Sequence, residues 1–508
     1  MKLTIEQLMT RSGVKFGTSG ARGLVTQMTD HVCYTYTRGF LQYLKSIGEL
    51  KKQGEAVAVA GDLRPSTDRI MEAVFRAAED AGYAPLNCGK IPSPAVAYYG
   101  LRRGVPAVMV TGSHIPADRN GIKFNKCSGE VLKSDEAGII GQTVEIDDAL
   151  FDASGAFREP TSRPRPVEAA AEDAYLARYL DFFPKDALSG LRLGVYEHSA
   201  VGRDLLMKIF GRLGAKLWPL HRSEEFVPVD TESIRDEDTR LAREWAKGFP
   251  FDAIVSTDGD SDRPLLADER GEWLRGDILG ILAAKFVGAD SVSTPISSNT
   301  AVEKSGWFRQ VIRTRIGSPY VVASMLEEMA RGAQCVVGYE ANGGFLLGSA
   351  ISRADAKAPL LPLPTRDAVL PVLACLVQAR DQKKTLSALA GSLPRRFTAS
   401  GLLREFPVEQ SRAVIGLFER ERDQAAIRYF SEEFGEVASL DFTDGARITF
   451  ASGDIVHLRP SGNAPEFRCY TEADSAERAI EHNETALHIV SSSVVAEAKS
   501  SASPNPKS

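Results

Sequence analysis

Short apolar runs that end in polar, glycine-rich loops recur along the chain, each followed by an amphipathic stretch. AVAVAGD (56–62) precedes a helical pattern over Pro65 to Ala81. VPAVMVTGSH (105–114), LRLGVYEHSA (191–200), FDAIVSTDGD (251–260) and CVVGYEANGG (335–344) repeat the arrangement, with a further helix predicted over Gly202 to Leu213. Runs of this length, rich in Val, Ile and Ala and bounded by turn residues, suit parallel strands buried on both faces. Alternation of such strands with helices predicts α/β units. Their recurrence suggests that the first three domains share one plan.

Three breaks divide this pattern. Glu159 to Pro166 (EPTSRPRP) is proline-rich and precedes a helical pattern over Val167 to Leu180; Asp268 to Gly276 follows an acidic loop; Gly391 to Thr398 forms the third. They give α/β domains over 1–160, 161–270 and 271–392, a smaller domain over 393–490, and a disordered tail over 491–508, rich in Ser, Ala and Pro. The 508 residues suffice for several cores. Lys and Arg total 61 against 67 Asp and Glu, so a net charge of −6 argues against a nucleic-acid partner. No segment reaches the ~18 apolar residues of a spanning helix, and the N-terminus lacks a signal-peptide core. Six scattered cysteines without a CxxC pair read as reduced thiols, so a cytoplasmic location with no membrane partner is expected.

The loops carry the candidate chemistry. Asp258-Gly259-Asp260-Ser261-Asp262-Arg263 sets three carboxylates at alternate positions, a pattern that suits one hard cation such as Mg²⁺. An EF-hand is a poor fit, because Arg263 stands where that loop needs Gly and a strand precedes it. Thr111-Gly112-Ser113-His114 ends a buried strand, where open α/β sheets bind ligands. Ser113 there is either a nucleophile or a turn serine. The G-x-S-x-G elbow of acyl hydrolases is absent. Asn120-Gly121 reads as a turn returning Lys123 towards Ser113. Glu340 and Asn342, on a glycine-rich loop, suit paired sugar hydroxyls. Arg459-Pro460-Ser461-Gly462-Asn463, with Arg468, reads as an anion loop. Phe16 to Gly23, with Arg22, is glycine-rich but lacks Walker spacing.

Taken in order, FGTSGARG (16–23), TGSHIP (111–116) with NGIKF (120–124), DGDSDR (258–263), YEANGG (339–344) and RPSGNAPEFRCY (459–470) resemble the landmark loops of the α-D-phosphohexomutase family. The resemblance implies three similar α/β domains and a smaller C-terminal α+β domain, like the TATA-binding protein, around a central cleft. It implies that Ser113 carries a phosphoryl group, with His114, Lys123 and Arg22 as its catalytic neighbours and Lys123 as the acid/base candidate. Asp258, Asp260 and Asp262, with an oxygen from phospho-Ser113, would hold Mg²⁺. Arg263, Glu340, Asn342, Arg459, Ser461, Gly462, Asn463 and Arg468 would bind substrate. The implied substrates are hexose phosphates, turned over through a hexose 1,6-bisphosphate by a monomer or homodimer. The expected reaction interconverts mannose 6-phosphate and mannose 1-phosphate. Glucose phosphates, alone or in addition, are the alternative, and glucosamine phosphate comes third. The chain departs from the family pattern at Ile115, Asn342, Gly344 and Asn463. Pro364 to Ala368 reads as a helix start that no motif explains.

Overall fold

The computed structural model describes residues 2–17, 19–159, 165–461 and 465–495. They fall into two units, 1–293 with 317–390, and 294–316 with the chain from 391 onward.

The first unit contains three α/β sheets, and the apolar runs are their central strands. In the first sheet Ala56–Gly61 lies between Ala84–Gly89 and Ala107–Val110, parallel to both, and Arg119–Lys126 returns antiparallel to Ala107–Val110. Gly20–Leu24 then pairs with Arg119–Lys126. Val57, Val59, Val108, Val110, Ile122 and Phe124 of these strands are buried in one core with Phe40 and Leu44 of the helix Asp30–Ser46. In the second sheet Arg192–His198 runs parallel to Ala253–Thr257, and Pro264–Ala267 returns antiparallel. In the third, Ser291 to Ser293 runs parallel to Val336–Tyr339, Phe345–Leu347 returns antiparallel, and Leu363–Asp367 adds an antiparallel edge.

One motif therefore occurs three times: a buried parallel strand, a polar loop, and an antiparallel return strand. The three loops are those of Ser113, of Asp258 to Asp262 and of Glu340 to Asn342. This is the shared plan that the apolar runs suggest, and it places each loop at the carboxyl end of a buried strand.

The helices Thr67–Asp80, Ala170–Leu180 and Arg203–Arg212 begin within three residues of their predicted starts. Two readings need correction. Asn120-Gly121 is not a turn: both residues lie inside the strand Arg119–Lys126, which is paired on both sides, so its backbone is already committed to the sheet. Pro364 to Ala368 is not a helix start: Leu363–Asp367 is a strand, and the helix Val369–Asp381 follows it.

In the second unit five antiparallel strands run in the order Phe397–Leu403, Phe467–Ala473, Ile455–Pro460, Ala446–Phe450, Val437–Asp441. Its apolar core includes Leu417, Phe418 and Phe430 of the helices Val408–Glu421 and Asp423–Phe434. This is the expected α+β domain. The tail corrects a third reading. Residues 491–495 are not disordered but continue the helix Ala476–Ile489 as a π-turn, because Val490 and Val494 are buried in that core. Residues 496–508 lie outside the described set. Among the described residues no helix is long and apolar enough to cross a membrane, and the six cysteines are unpaired.

Candidate active site

Ser113 sits on the loop after Ala107–Val110 in a left-handed conformation, φ 57°. That geometry costs a non-glycine residue energy, so the surroundings must hold it. They do so through a buried web. The Ser113 N–H donates to Thr111 Oγ1 at 2.8 Å, and Thr111 Oγ1 donates to Asp62 Oδ2 at 2.7 Å. Arg64 uses all five of its N–H groups: Nε donates to Asp62 at 3.1 Å, Nη1 to the carbonyls of Pro116 and Arg119, and Nη2 to those of Ser113 and Ile115 at 2.8 and 2.6 Å. Gly112 lets the guanidinium come this close, since a Cβ there would lie 2.6 Å from Arg64 Cζ. Phe226 stacks on the guanidinium, 4.0 Å from ring centroid to Cζ.

The Ser113 hydroxyl is buried and donates to Asp258 Oδ2 at 2.7 Å; His114 Nδ1 lies 3.3 Å from it. Asp258, Asp260 and Asp262 are all buried, with carboxylate oxygens within 4.8 Å of one another. Asp258 Oδ1 accepts from the N–H groups of Asp262 and Arg263, which closes the loop on itself. Asp260 Oδ2 accepts from Ser93 Oγ at 2.7 Å and Lys123 Nζ at 2.5 Å; Asp262 Oδ2 accepts from Lys123 Nζ at 2.7 Å and Arg366 Nε at 3.0 Å. Asp260 Oδ1 and Asp262 Oδ1 are buried without a hydrogen-bond partner. Burial, then the charges of Asp260 and Asp262, push Asp258 up. Orphaned carboxylate oxygens that crowd one another fit a hard divalent cation.

Cations ring the same centre. Burial and then the Arg263 charge push Arg22 down to about 10, with Arg366 and Arg64 adding to the effect. Burial, then Arg263 and Arg22, hold His114 neutral. Burial opposes the Lys123 charge, but Asp260 and Asp262 outweigh it, and its pKa is raised. Arg263 Nε is buried without a hydrogen-bond acceptor, its nearest carboxylate oxygens being 3.8 Å away on Asp262 and 4.0 Å on Asp258. Cations that depress one another's charge around a buried hydroxyl provide for an anion there.

Glu340 joins this centre through Arg366, whose Nη1 donates to Glu340 Oε2 at 3.1 Å. Asn342 is on the same loop, but its Oδ1 accepts from Gly344 N–H at 2.9 Å and closes the loop's own turn. Ser113, His114, Arg22, Lys123, the three aspartates, Arg263, Glu340 and Asn342 all belong to the first unit. Arg459, Ser461 and Arg468 belong to the second, and Gly462 and Asn463 lie outside the described residues. Arg459 and Arg468 face each other across adjacent antiparallel strands, and Ser461 N–H donates to Glu466 O at 2.9 Å to close the loop between them. Like charges directly opposite are unfavourable in a sheet. Asp444 balances Arg459 at 2.9 Å and Glu466 balances Arg468 at 3.4 Å.

Comparison with known proteins decides the family. Models described as phosphoglucomutase/phosphomannomutase alpha/beta/alpha domains I, II and III match residues 13–149, 173–271 and 275–397, and that family's C-terminal domain matches 405–485. The chain belongs to the phosphoglucomutase/phosphomannomutase family. It is 43% identical over 487 residues to a Salmonella muenchen protein named phosphomannomutase, covering 96% of this chain and 97% of that one. It is also 43% identical over 483 residues to a phosphomannomutase of Sinorhizobium fredii, covering 95% and 100%. A solved structure of a phosphoglucomutase/phosphomannomutase family protein from Burkholderia thailandensis matches with a TM-score of 0.71 at 20% identity, covering 95% of this chain and 97% of that one; the likeness is one of fold. As a member of the phosphoglucomutase/phosphomannomutase family the protein is an intramolecular phosphotransferase, as the five loops imply.

The sequence reading missed two arginines. Arg64 makes five hydrogen bonds around the Ser113 turn and Arg366 makes three between the loops, yet each stands alone in its local sequence. The one signal for Arg366 is that Pro364 to Ala368 fits no motif.

Proposed function

We propose that the protein is a phosphomannomutase that interconverts mannose 6-phosphate and mannose 1-phosphate through phospho-Ser113 and a hexose 1,6-bisphosphate. One observation carries the chemistry: the Ser113 hydroxyl is buried on a strained turn and bonded to Asp258 of the carboxylate triad, with the charges of Arg22, Lys123 and Arg263 bearing on the same centre. The two relatives at 43% identity, both named phosphomannomutase, support mannose as the sugar.

In the proposed step a sugar hydroxyl oxygen attacks the phosphorus on Ser113. The new O–P bond forms, the Oγ–P bond breaks, and the hydroxyl proton passes in net to Ser113 Oγ. The bisphosphate then returns its other phosphoryl group to Ser113. Phosphoryl transfer demands positioning and charge neutralisation above all. Arg64 fixes the turn that aims Ser113. Arg22 and Arg263 offer donors to the phosphoryl oxygens. Lys123, within reach of the same centre, is the acid/base candidate. Asp258, Asp260 and Asp262, with a phosphoserine oxygen, would hold Mg²⁺, which when bound neutralises charge on the transferring group. Glu340 and Asn342 are assigned to sugar hydroxyls. Arg459, Ser461, Gly462, Asn463 and Arg468 are assigned to the phosphate that is not being transferred. Unpaired cysteines support a cytoplasmic enzyme.

The test is a mutase assay with Mg²⁺ and a trace of glucose 1,6-bisphosphate, with mannose 1-phosphate and glucose 1-phosphate compared by phosphorus NMR. A clear mannose preference is expected. Equal rates would make the enzyme dual. Failure of both sugars with Ser113 phosphorylated would refute the mannose assignment and direct the assay to glucosamine 1-phosphate.

A further inference from the structure

Arg366 lies on the strand Leu363–Asp367 and is buried. Its single guanidinium touches two loops and starts a path to a third element. Nε donates to Asp262 Oδ2 at 3.0 Å, and Nη1 donates to Glu340 Oε2 and to Ser318 Oγ, both at 3.1 Å. Ser318 Oγ in turn donates to Glu130 Oε1 at 2.6 Å, which also accepts from Ser19 Oγ at 2.5 Å, three residues before Arg22. The strand itself is anchored one residue on, where Asp367 accepts from the hydroxyls of Tyr175 and Tyr179 and from Val369 N–H. The aliphatic stem of Arg366 crosses Gly344, and a Cβ at 344 would lie 2.6 Å from both Cγ and Cδ.

Resting on the mutase reading, we propose that Arg366 is a positioning residue that fixes the Asp262 carboxylate of the metal loop and the Glu340 carboxylate of the sugar loop relative to each other. A buried ion pair is weak ground for a stability role. The geometry points elsewhere. A planar guanidinium with Nε on one carboxylate and Nη1 on another sets the distance between them, which the single ammonium of a lysine cannot do. Asp262 Oδ2 is occupied by Arg366 and Lys123, so Oδ1 is the oxygen left without a partner. Arg366 thus acts with Lys123 to leave Oδ1 as the Asp262 oxygen offered to a cation, and with the same guanidinium it holds the sugar loop.

Three variants test this: Arg366→Lys, Glu340→Gln and Gly344→Ala. The last keeps every charge and sets a Cβ against the arginine stem. Each is assayed for kcat and KM with mannose 1-phosphate, for half-saturating Mg²⁺, for Mn²⁺ affinity by electron paramagnetic resonance, for Ser113 phosphorylation by intact mass, and for Tm. Arg366→Lys and Gly344→Ala are expected to remain folded and phosphorylated while kcat/KM falls on the order of 10- to 100-fold, with a shifted Mn²⁺ affinity. In Mn²⁺ affinity the Glu340→Gln/Arg366→Lys double variant should match Arg366→Lys alone within about twofold, because Glu340 meets the Asp262 carboxylate only through Arg366. Additive shifts in Mn²⁺ affinity, or near wild-type kcat/KM in both Arg366→Lys and Gly344→Ala, would overturn the proposal. So would a loss that is fully accounted for by a lowered Tm. If the wild-type enzyme turned over no hexose phosphate, the reaction reading would fail separately, and Mn²⁺ affinity unchanged in Arg366→Lys and Gly344→Ala would then decide against Arg366.

Discussion

Replacing Arg64 with alanine tests whether the Ser113 turn is held from outside the motif. The change removes one buried ion pair, to Asp62, and four bonds to carbonyls. Asp62 keeps Thr67 Oγ1 at 2.6 Å and Thr111 Oγ1 at 2.7 Å, so its carboxylate is not stranded altogether. Pro116 and Arg119 are exposed, and their carbonyls can take water; those of Ser113 and Ile115 lie deeper. Breaking a buried pair costs about 3–5 kcal/mol, and the retained partners place this case near the lower end even after one or two deeper carbonyls go unpaired. For activity the relevant quantity is the position of Oγ: a displacement of about 1 Å costs on the order of 10²-fold in rate. Hydrogen exchange read by mass spectrometry over residues 111–120, alongside phosphoryl uptake from glucose 1,6-bisphosphate, checks both. Expected are faster exchange in that peptide and phosphoryl uptake slowed about 10²-fold, with Arg64→Lys intermediate. Unchanged exchange together with wild-type uptake would refute the argument that Arg64 maintains the turn.

Three further outcomes are expected. Gly112→Ala should mimic Arg64→Ala in exchange and uptake, because its Cβ enters the space of the guanidinium; a silent Gly112→Ala would mean that the clamp can shift. Removal of divalent metal with EDTA should abolish turnover and Mg²⁺ should restore it, whereas in Asp260→Asn half-saturating Mg²⁺ should rise at least tenfold, about 1.4 kcal/mol; an unaltered Mg²⁺ titration would remove Asp260 from the cation site. Burial lowers His457 from 6.5 to about 4 in the folded chain, where its Nε2 contacts Asp444 O at 2.6 Å. The unfolded chain therefore binds more protons between those values, and up to ~3 kcal/mol of stability is lost as pH falls from 6.5 to about 4. Urea midpoints across that range in wild type and His457→Gln measure the difference, and identical slopes would reject the assignment.

The sequence exposed what is local. A buried parallel strand must be apolar on both faces, so Ala56–Gly61, Ala107–Val110 and Ala253–Thr257 stand out as runs, and the loops at their ends can be located without a structure. The aspartate triad was legible because its spacing carries the chemistry. Asn120-Gly121 misled, since a turn dipeptide says nothing about a strand paired on both sides. Arg64 and Arg366 were out of reach for a different reason: each is one cation in a short polar stretch, and its meaning lies in partners some 50 to 100 residues away, such as Ser113 and Asp262. Val494 falls in the tail reading because Ser491 to Ser493 dominate the local composition; its burial depends on the domain it docks against.

The fit between Gly344 and the stem of Arg366 also constrains history. A side chain at 344 leaves this arginine no room in its present position, so a relative that carries both must hold the arginine stem elsewhere. The least obstructed order of change therefore has the glycine first and the arginine second, with reversal running the other way. Among relatives, residues 344 and 366 should vary as a pair, and lineages that differ at both should be separated by an intermediate with glycine at 344 and a smaller residue at 366.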